Sequence, residues 1–124
     1  KKTASMLAAA AMSLTCLLAQ NPIVPEGVYN SDPQARVWRN GKELFVYGSR
    51  DEDPAYYCSR FYDVLSTGNM IDWKLRKDSF ASVGKNDEVG YNDEMLYAPD
   101  CIEWKGKYYL FYSQGGSRDV EGVA

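Results

Sequence analysis

The sequence predicts an all-β protein, on three observations. Short runs of aromatic and β-branched residues recur with turn signals between them. Beyond the first two dozen residues, no stretch keeps apolar residues at helical spacing. The 124-residue chain carries ten tyrosines and an aromatic fraction of 14%, a composition that suits pleated, half-buried strands.

The strand candidates follow in order. Ala35 to Arg39 is the first and Leu44 to Ser49 the second, joined across Asn40-Gly41. Asn-Gly between two such runs is a strong hairpin signal, because both turn residues must adopt positive φ. Phe61 to Leu65 is a third candidate, closed by Ser66-Thr67-Gly68, and Trp73 to Leu75 or Arg76 is a fourth. Four short antiparallel strands in a row fit one propeller blade. The stretch from Ala81 to Asp93 is polar and glycine-containing and reads as a long loop, a class that is often functional.

The pattern then restarts. Ala98 to Trp104 and Lys107 to Ser113 flank Lys105-Gly106. Val37-Trp38-Arg39-Asn40-Gly41-Lys42 aligns with Ile102-Glu103-Trp104-Lys105-Gly106-Lys107, with a one-residue slip after the turn. A repeated supersecondary unit of this kind points to a propeller.

Composition excludes several function classes. The net charge is −3, and the basic residues are scattered, so no surface is built to neutralise nucleic-acid phosphates. The chain contains no histidine, so a histidine triad or histidine-ligated zinc site cannot form within it. Chemistry here falls to carboxylates, tyrosines, lysines or cysteines.

Residues 1–19 read as a secretory signal peptide. Lys1-Lys2 is followed by a nearly uncharged run from Met6 to Ala19, shorter than the roughly 20 residues of a membrane span. The protein is therefore expected to be exported, periplasmic or extracellular, with residues 20–124 as its mature part. Cys16, preceded by Leu14, offers lipid anchoring as an alternative; the membrane is a partner only on that reading. Cys58 and Cys101 remain either to pair or to sit buried as free thiols.

Several motifs then fall in one order. Asn21-Pro22-Ile23, Gly27-Val28-Tyr29, Asp32-Pro33 and Tyr47-Gly48-Ser49-Arg50-Asp51 come first. Met70-Ile71-Asp72-Trp73 and Leu96-Tyr97-Ala98-Pro99-Asp100 follow, then Trp104 through Ser113, with Gly122-Val123-Ala124 opening a further strand. Together they resemble the first two blades of glycoside hydrolase family 43. The resemblance implies a five-bladed β-propeller, of which this chain holds about the first two blades. It also implies inverting hydrolysis of arabinose- or xylose-containing polysaccharides and oligosaccharides such as arabinan, xylan or arabinoxylan.

Three acidic residues are implied by that family: a general base on the first blade, a pKa-tuning aspartate on the third, and a glutamate acid beyond it. Only the base falls inside this chain, at Asp32. Asp51 closes the second strand and either lines the sugar pocket or is a solvated loop carboxylate. Tyr97 stands where relatives often carry a tryptophan; it either packs on the sugar or belongs to the core. Asp100 reads as structural, and Trp38, Trp73 and Trp104 as packing between blades. No cofactor is expected from these residues. A calcium ion on the axis of the full-length protein would depend on other blades, since no acidic cluster here has calcium-loop spacing.

Two other classes stand beside the enzyme. One is a non-catalytic carbohydrate-binding propeller that lacks the acid. The other is an exported structural β-domain. Two blades alone would expose faces that neighbours normally cover, so these residues by themselves are expected to be unstable and inactive.

Overall fold

The computed structural model describes residues 24–52, 58–115 and 120–124. The expected signal peptide and Cys16 lie outside them. Among the described residues there is no α-helix, and two antiparallel sheets hold the fold. The first has the order β1 (Asn30–Trp38), β2 (Glu43–Arg50), β3 (Phe61–Thr67), β4 (Lys74–Ala81). The second has the order β5 (Leu96–Trp104), β6 (Lys107–Gln114), β7 (Val120–Val123). Two consecutive meanders of this kind match the expected blades.

The two leading hairpins are copies, down to their irregularity. In β1 the register slips between Ser31 and Gln34, so that Asp32 and Pro33 together face the single residue Gly48. In β5 it slips between Tyr97 and Asp100, so that Ala98 and Pro99 face Tyr112. Each slip is a one-residue bulge at a proline. Proline has no N–H for a ladder, so edge strands and bulges are where it fits. β1 and β5 are edge strands of their sheets, and β1 and β2 lie against β5.

This register corrects the alignment read from sequence. Trp38 corresponds to Trp104, not to Glu103. The first turn has four residues between Trp38 and Glu43, and the second has two between Trp104 and Lys107. The difference is two residues rather than one. Asn40 and Gly41 do take positive φ, but Arg39 joins them at φ 55°. Lys105 and Gly106, at φ 51° and 75°, make the tight two-residue turn.

The strands also run further than hydrophobicity alone suggested. β1 begins at Asn30, through the polar stretch Asn-Ser-Asp-Pro-Gln, and β4 continues to Ala81. The loop expected from Ala81 to Asp93 is a packed connector. Val89 within it is completely buried, and Ser82 Oγ donates to the Glu94 carbonyl at 2.6 Å.

The core sits between the sheets. Tyr62, Phe80, Val89, Leu96 and Tyr112 form it, with Leu110 against its edge. The Tyr62 and Phe80 rings stack at 5.8 Å, and Phe80 tilts onto Tyr112 at 4.9 Å. Apolar area removed from water, at roughly 25 cal/mol per Å², is the main force holding such sheets together. The Tyr62 hydroxyl satisfies itself by donating to the Tyr97 carbonyl across the interface. Burial pushes the Tyr62 phenol up, so it stays a neutral donor.

Polar contacts fix how the sheets meet. Arg36 Nη2 donates to Asp100 Oδ2 at 2.6 Å, and its Nε donates to the Cys101 carbonyl at 3.1 Å. Asp100 is thus a structural residue. Trp38 meets Tyr108 of the second sheet edge-on at 5.4 Å and donates its indole N–H to the Tyr47 hydroxyl. Trp73 is half-buried. Trp104 does not pack between these two sheets: it is 56% exposed, with Lys105 Nζ 4.1 Å from its ring centroid. It ends β5 on the face turned away from the first sheet, beside exposed Ile102, Phe111 and Val123.

A second ion-pair network is buried more deeply. Arg50 Nη1 donates to Asp63 at 3.1 Å and to Asp78 at 2.9 Å. The backbone N–H of Asp78 also donates to Asp63. Glu52 lies 3.2 Å from Arg50 Nε but is misaligned for a hydrogen bond. The Arg50 guanidinium also covers the Phe61 ring at 4.7 Å.

Three outcomes are expected of the protein expressed from its full coding sequence. Side-chain exposures of 18% and 9% for Arg50 and Asp63 contrast with 35% and 37% for Arg36 and Asp100. Arg50→Ala strands a buried carboxylate and is expected to cost about 3 kcal/mol. Arg36→Ala, cutting a half-exposed pair, is expected to cost under about 1 kcal/mol. Urea unfolding of both variants checks the order.

A Cβ at Gly48 would overlap the Asn30 side chain and lie 2.8 Å from the Ser31 carbonyl oxygen. Gly48→Ala is therefore expected to destabilise by about 1–3 kcal/mol, read from the same urea curves.

Cys58 and Cys101 are free and buried, and burial pushes both thiols up. Both are expected to resist iodoacetamide in the native state at neutral pH and to label once unfolded. Peptide mass spectrometry separates them from Cys16.

Candidate functional site

Asp32 stands at the bulge in β1, exposed, with a left-handed backbone at φ 47°. L-residues rarely adopt this region, and aspartate and asparagine are among the few that tolerate it. The equivalent residue of the second sheet, Ala98, does not adopt it. Bulges re-aim side chains and concentrate near active sites. Here the bulge presents an exposed carboxylate on an edge strand.

The surroundings of Asp32 come from the end of β2. Asp51, half-buried, follows Arg50 directly, and its Oδ2 accepts a hydrogen bond from Ser31 Oγ. Among the described residues, Asp51 Oδ1 and Asn30 Oδ1 are buried with no hydrogen-bond partner. Such oxygens are uncommon in folded proteins and cost free energy where they occur. The Cys58 thiol lies close by. Burial raises it most, and the negative charges of Asp51 and Asp32 raise it further. Asp32, Asp51 and Cys58 thus share one electrostatic neighbourhood, with the fully buried Ser49 beside them.

Tyr97 belongs to the neighbouring sheet. It is the second residue of β5, as Ser31 is the second residue of β1. Its ring is half-buried and packs over Gly115, where a Cβ would overlap it. One side of the ring is therefore covered by backbone. Asp32 lies in the bulge of β1 and Tyr97 is the residue just before the matching bulge of β5, while Asp51 joins Asp32 within the first sheet.

Sequence reasoning singled out Asp32, Asp51 and Tyr97. It did not single out Ser31, Gly48, Ser49 or Cys58. The signal for Gly48 was present: a glycine inside a strand marks a close backbone approach, and here Asn30 and Ser31 make that approach. The Ser31–Asp51 bond links residues twenty apart and depends on a register that the sequence did not display.

Among the described residues, no group of three or more histidine, cysteine, aspartate or glutamate side chains is arranged to hold a metal ion.

No family model matches the chain. It is similar to a beta-xylosidase of Xylanibacter ruminicola, with 31% identity over 106 residues, spanning 77% of this chain and 30% of that protein. It is equally similar to xylosidase/arabinosidase 43A of Humicola insolens, 31% identical over 104 residues with the same coverage. The chain therefore spans about 30% of the length of these curated relatives. Its fold matches that of CoXyl43, a family-43 beta-xylosidase/alpha-arabinofuranosidase from a compost microbial metagenome, solved with xylotriose in a calcium-free form. That match has a TM-score of 0.59 and 23% identity over 83% of this chain and 32% of the other. Sequence kinship along most of its length, joined to this fold, makes the chain a member of glycoside hydrolase family 43.

Proposed function

We propose that this chain supplies the water-activating part of an inverting glycosidase that acts on xylose- or arabinose-containing polysaccharides and oligosaccharides. The observation that carries the reading is Asp32: an exposed carboxylate on a proline bulge, with a backbone conformation that the matching bulge does not share.

In this mechanism Asp32 accepts a proton from a water molecule. The water oxygen attacks the anomeric carbon on the face opposite the leaving group. A carboxylic acid from a later blade protonates the leaving glycosidic oxygen. Inversion needs the two carboxyl groups about 6.5–9.5 Å apart, with room for the water between them. Residues on different blades meet that spacing more readily than neighbours on one strand. Tyr97, from the adjacent sheet, offers the uncovered part of its ring to the apolar face of the sugar.

The names of the relatives support the substrate class. One is a beta-xylosidase, one a xylosidase/arabinosidase, and the structural neighbour was solved with xylotriose. Export to where such polysaccharides lie fits the N-terminal segment read from the sequence, and it forms part of the same proposal.

The test uses the protein expressed from its full coding sequence. Asp32→Ala is expected to lower kcat on 4-nitrophenyl β-xyloside or 4-nitrophenyl α-arabinofuranoside by at least about 10²-fold, the contribution typical of a positioned general base. Proton NMR of the first-formed sugar anomer is expected to show inversion. Near-normal activity of the variant, or a retained anomer, would sink the proposal.

A further inference from the structure

We infer that Ser31 and Asp51 form a clamp that holds the Asp32 bulge in its left-handed conformation, which makes both of them positioning residues. The inference rests on Asp32 being the base.

The internal repeat supplies the control. β1 and β5 each have nine residues, and β2 and β6 each have eight. Ser31 therefore matches Tyr97, Asp32 matches Ala98, and Asp51 matches Gly115, the residue after β6. In the first sheet the outer two of these positions are joined by a hydrogen bond, from Ser31 Oγ to Asp51 Oδ2. In the second sheet the same two positions make a different contact, the Tyr97 ring over Gly115. Both bulges carry proline and the same register slip. Only the bulge with the serine–aspartate bond has a left-handed residue at its centre. Proline and the slip are common to both, so they do not by themselves produce that conformation. Two local differences remain: aspartate rather than alanine at the apex, a residue type that tolerates this region, and the bond that spans the bulge from the residue just before Asp32.

The state of Asp51 points the same way. One of its oxygens is committed to Ser31, and the other is buried without a partner among the described residues. An aspartate binding sugar would present an oxygen to the cleft. This one is turned inward, beside the fully buried Ser49. Its influence reaches the substrate through Asp32, not by contact. A base displaced by even a fraction of an ångström loses its line to the water, so a loosened bulge lowers kcat while leaving sugar binding intact.

The experiment is a double-mutant cycle in the protein expressed from its full coding sequence, assayed on 4-nitrophenyl β-xyloside and 4-nitrophenyl α-arabinofuranoside. Ser31→Ala and Asp51→Ala are each expected to lower kcat about tenfold or more, with KM changed less than about twofold. The double variant is expected to be no worse than the poorer single one, because both remove the same bond. Ser31→Thr keeps the hydroxyl, and Asp51→Asn keeps an accepting oxygen; both are expected to retain most of kcat. Multiplying losses in the double variant would overturn the clamp. So would a KM rise confined to the Asp51 variants, which would place Asp51 on the sugar. If either alanine variant fails to fold, Ser31→Thr and Asp51→Asn carry the test, and a collapse of kcat in either overturns the inference. Asp32→Ala is run in parallel. An inactive Asp32→Ala beside a fully active Ser31→Ala defeats the clamp alone, whereas an active Asp32→Ala defeats the base assignment on which the clamp rests.

Discussion

Proline has no N–H to give to a strand ladder, and both edge strands where the sheets of this protein approach each other carry one as their fourth residue. That constraint organises what surrounds it. A ladder cannot run straight through Pro33 or Pro99, so each strand takes in an extra residue and bends. The bend frees the residue before the proline from its cross-strand partner. In the first sheet that residue is Asp32. A carboxylate paired in a regular ladder would alternate between faces by rule; one on a bulge takes a direction set by its neighbours.

The same constraint explains why the polar contacts lie where they do. After each bulge the strand must recover its register, and the residues just beyond it secure the sheets to each other. Arg36, three residues after Pro33, reaches Asp100, the residue after Pro99, and the Cys101 carbonyl next to it. One guanidinium thus ties the recovering part of β1 to the recovering part of β5. Its worth in stability is small, since both partners are more than a third exposed. Its worth in geometry is larger, because its two donors cross the interface in different directions. The aromatic core supplies the cohesion, and Arg36 narrows the orientation.

How much of this the sequence displayed depended on whether hydrophobicity carried the signal. The hairpins around Asn40-Gly41 and Lys105-Gly106 were legible because apolar alternation and turn residues coincide there. The repeat was legible through its turns, Asn40-Gly41 and Lys105-Gly106, although it set Trp38 against Glu103 until the pairing register was known. The first half of β1 and the second half of β4 were not legible. Asn30 to Gln34 and Lys77 to Ser79 are polar, and they are held in strands by backbone pairing and by side chains such as Asp63, whose Oδ1 accepts the Asp78 N–H. Val89 escaped notice for the opposite reason: it is one apolar residue in a polar connector, and only the packed core reveals its place. Asp32, Asp51 and Tyr97 stood out through a family resemblance. Nothing in their local sequence distinguishes a base from a turn aspartate, and the partners Ser31 and Ser49 become visible only through register.

The two bulges also show how one piece of backbone takes on different tasks. The positions are the same, but the side chains divide the work. In the second sheet, alanine at the apex and a tyrosine over glycine make a smooth surface with an aromatic edge. In the first, a serine, an aspartate at the apex and a second aspartate make a charged point with a left-handed backbone at its centre. Two carboxylates in one neighbourhood repel each other, and a hydrogen bond from a neutral hydroxyl leaves the charge in place but fixes where one of them points. The Ser31 hydroxyl occupies Asp51, and that leaves Asp32 the carboxylate turned toward solvent. On the proposed reading, the chemistry requires this division: a base that faces the water and a companion whose hydrogen bond faces away from it. The duplicated frame makes the division readable, since each side chain in the active bulge has a counterpart nearby that does something else.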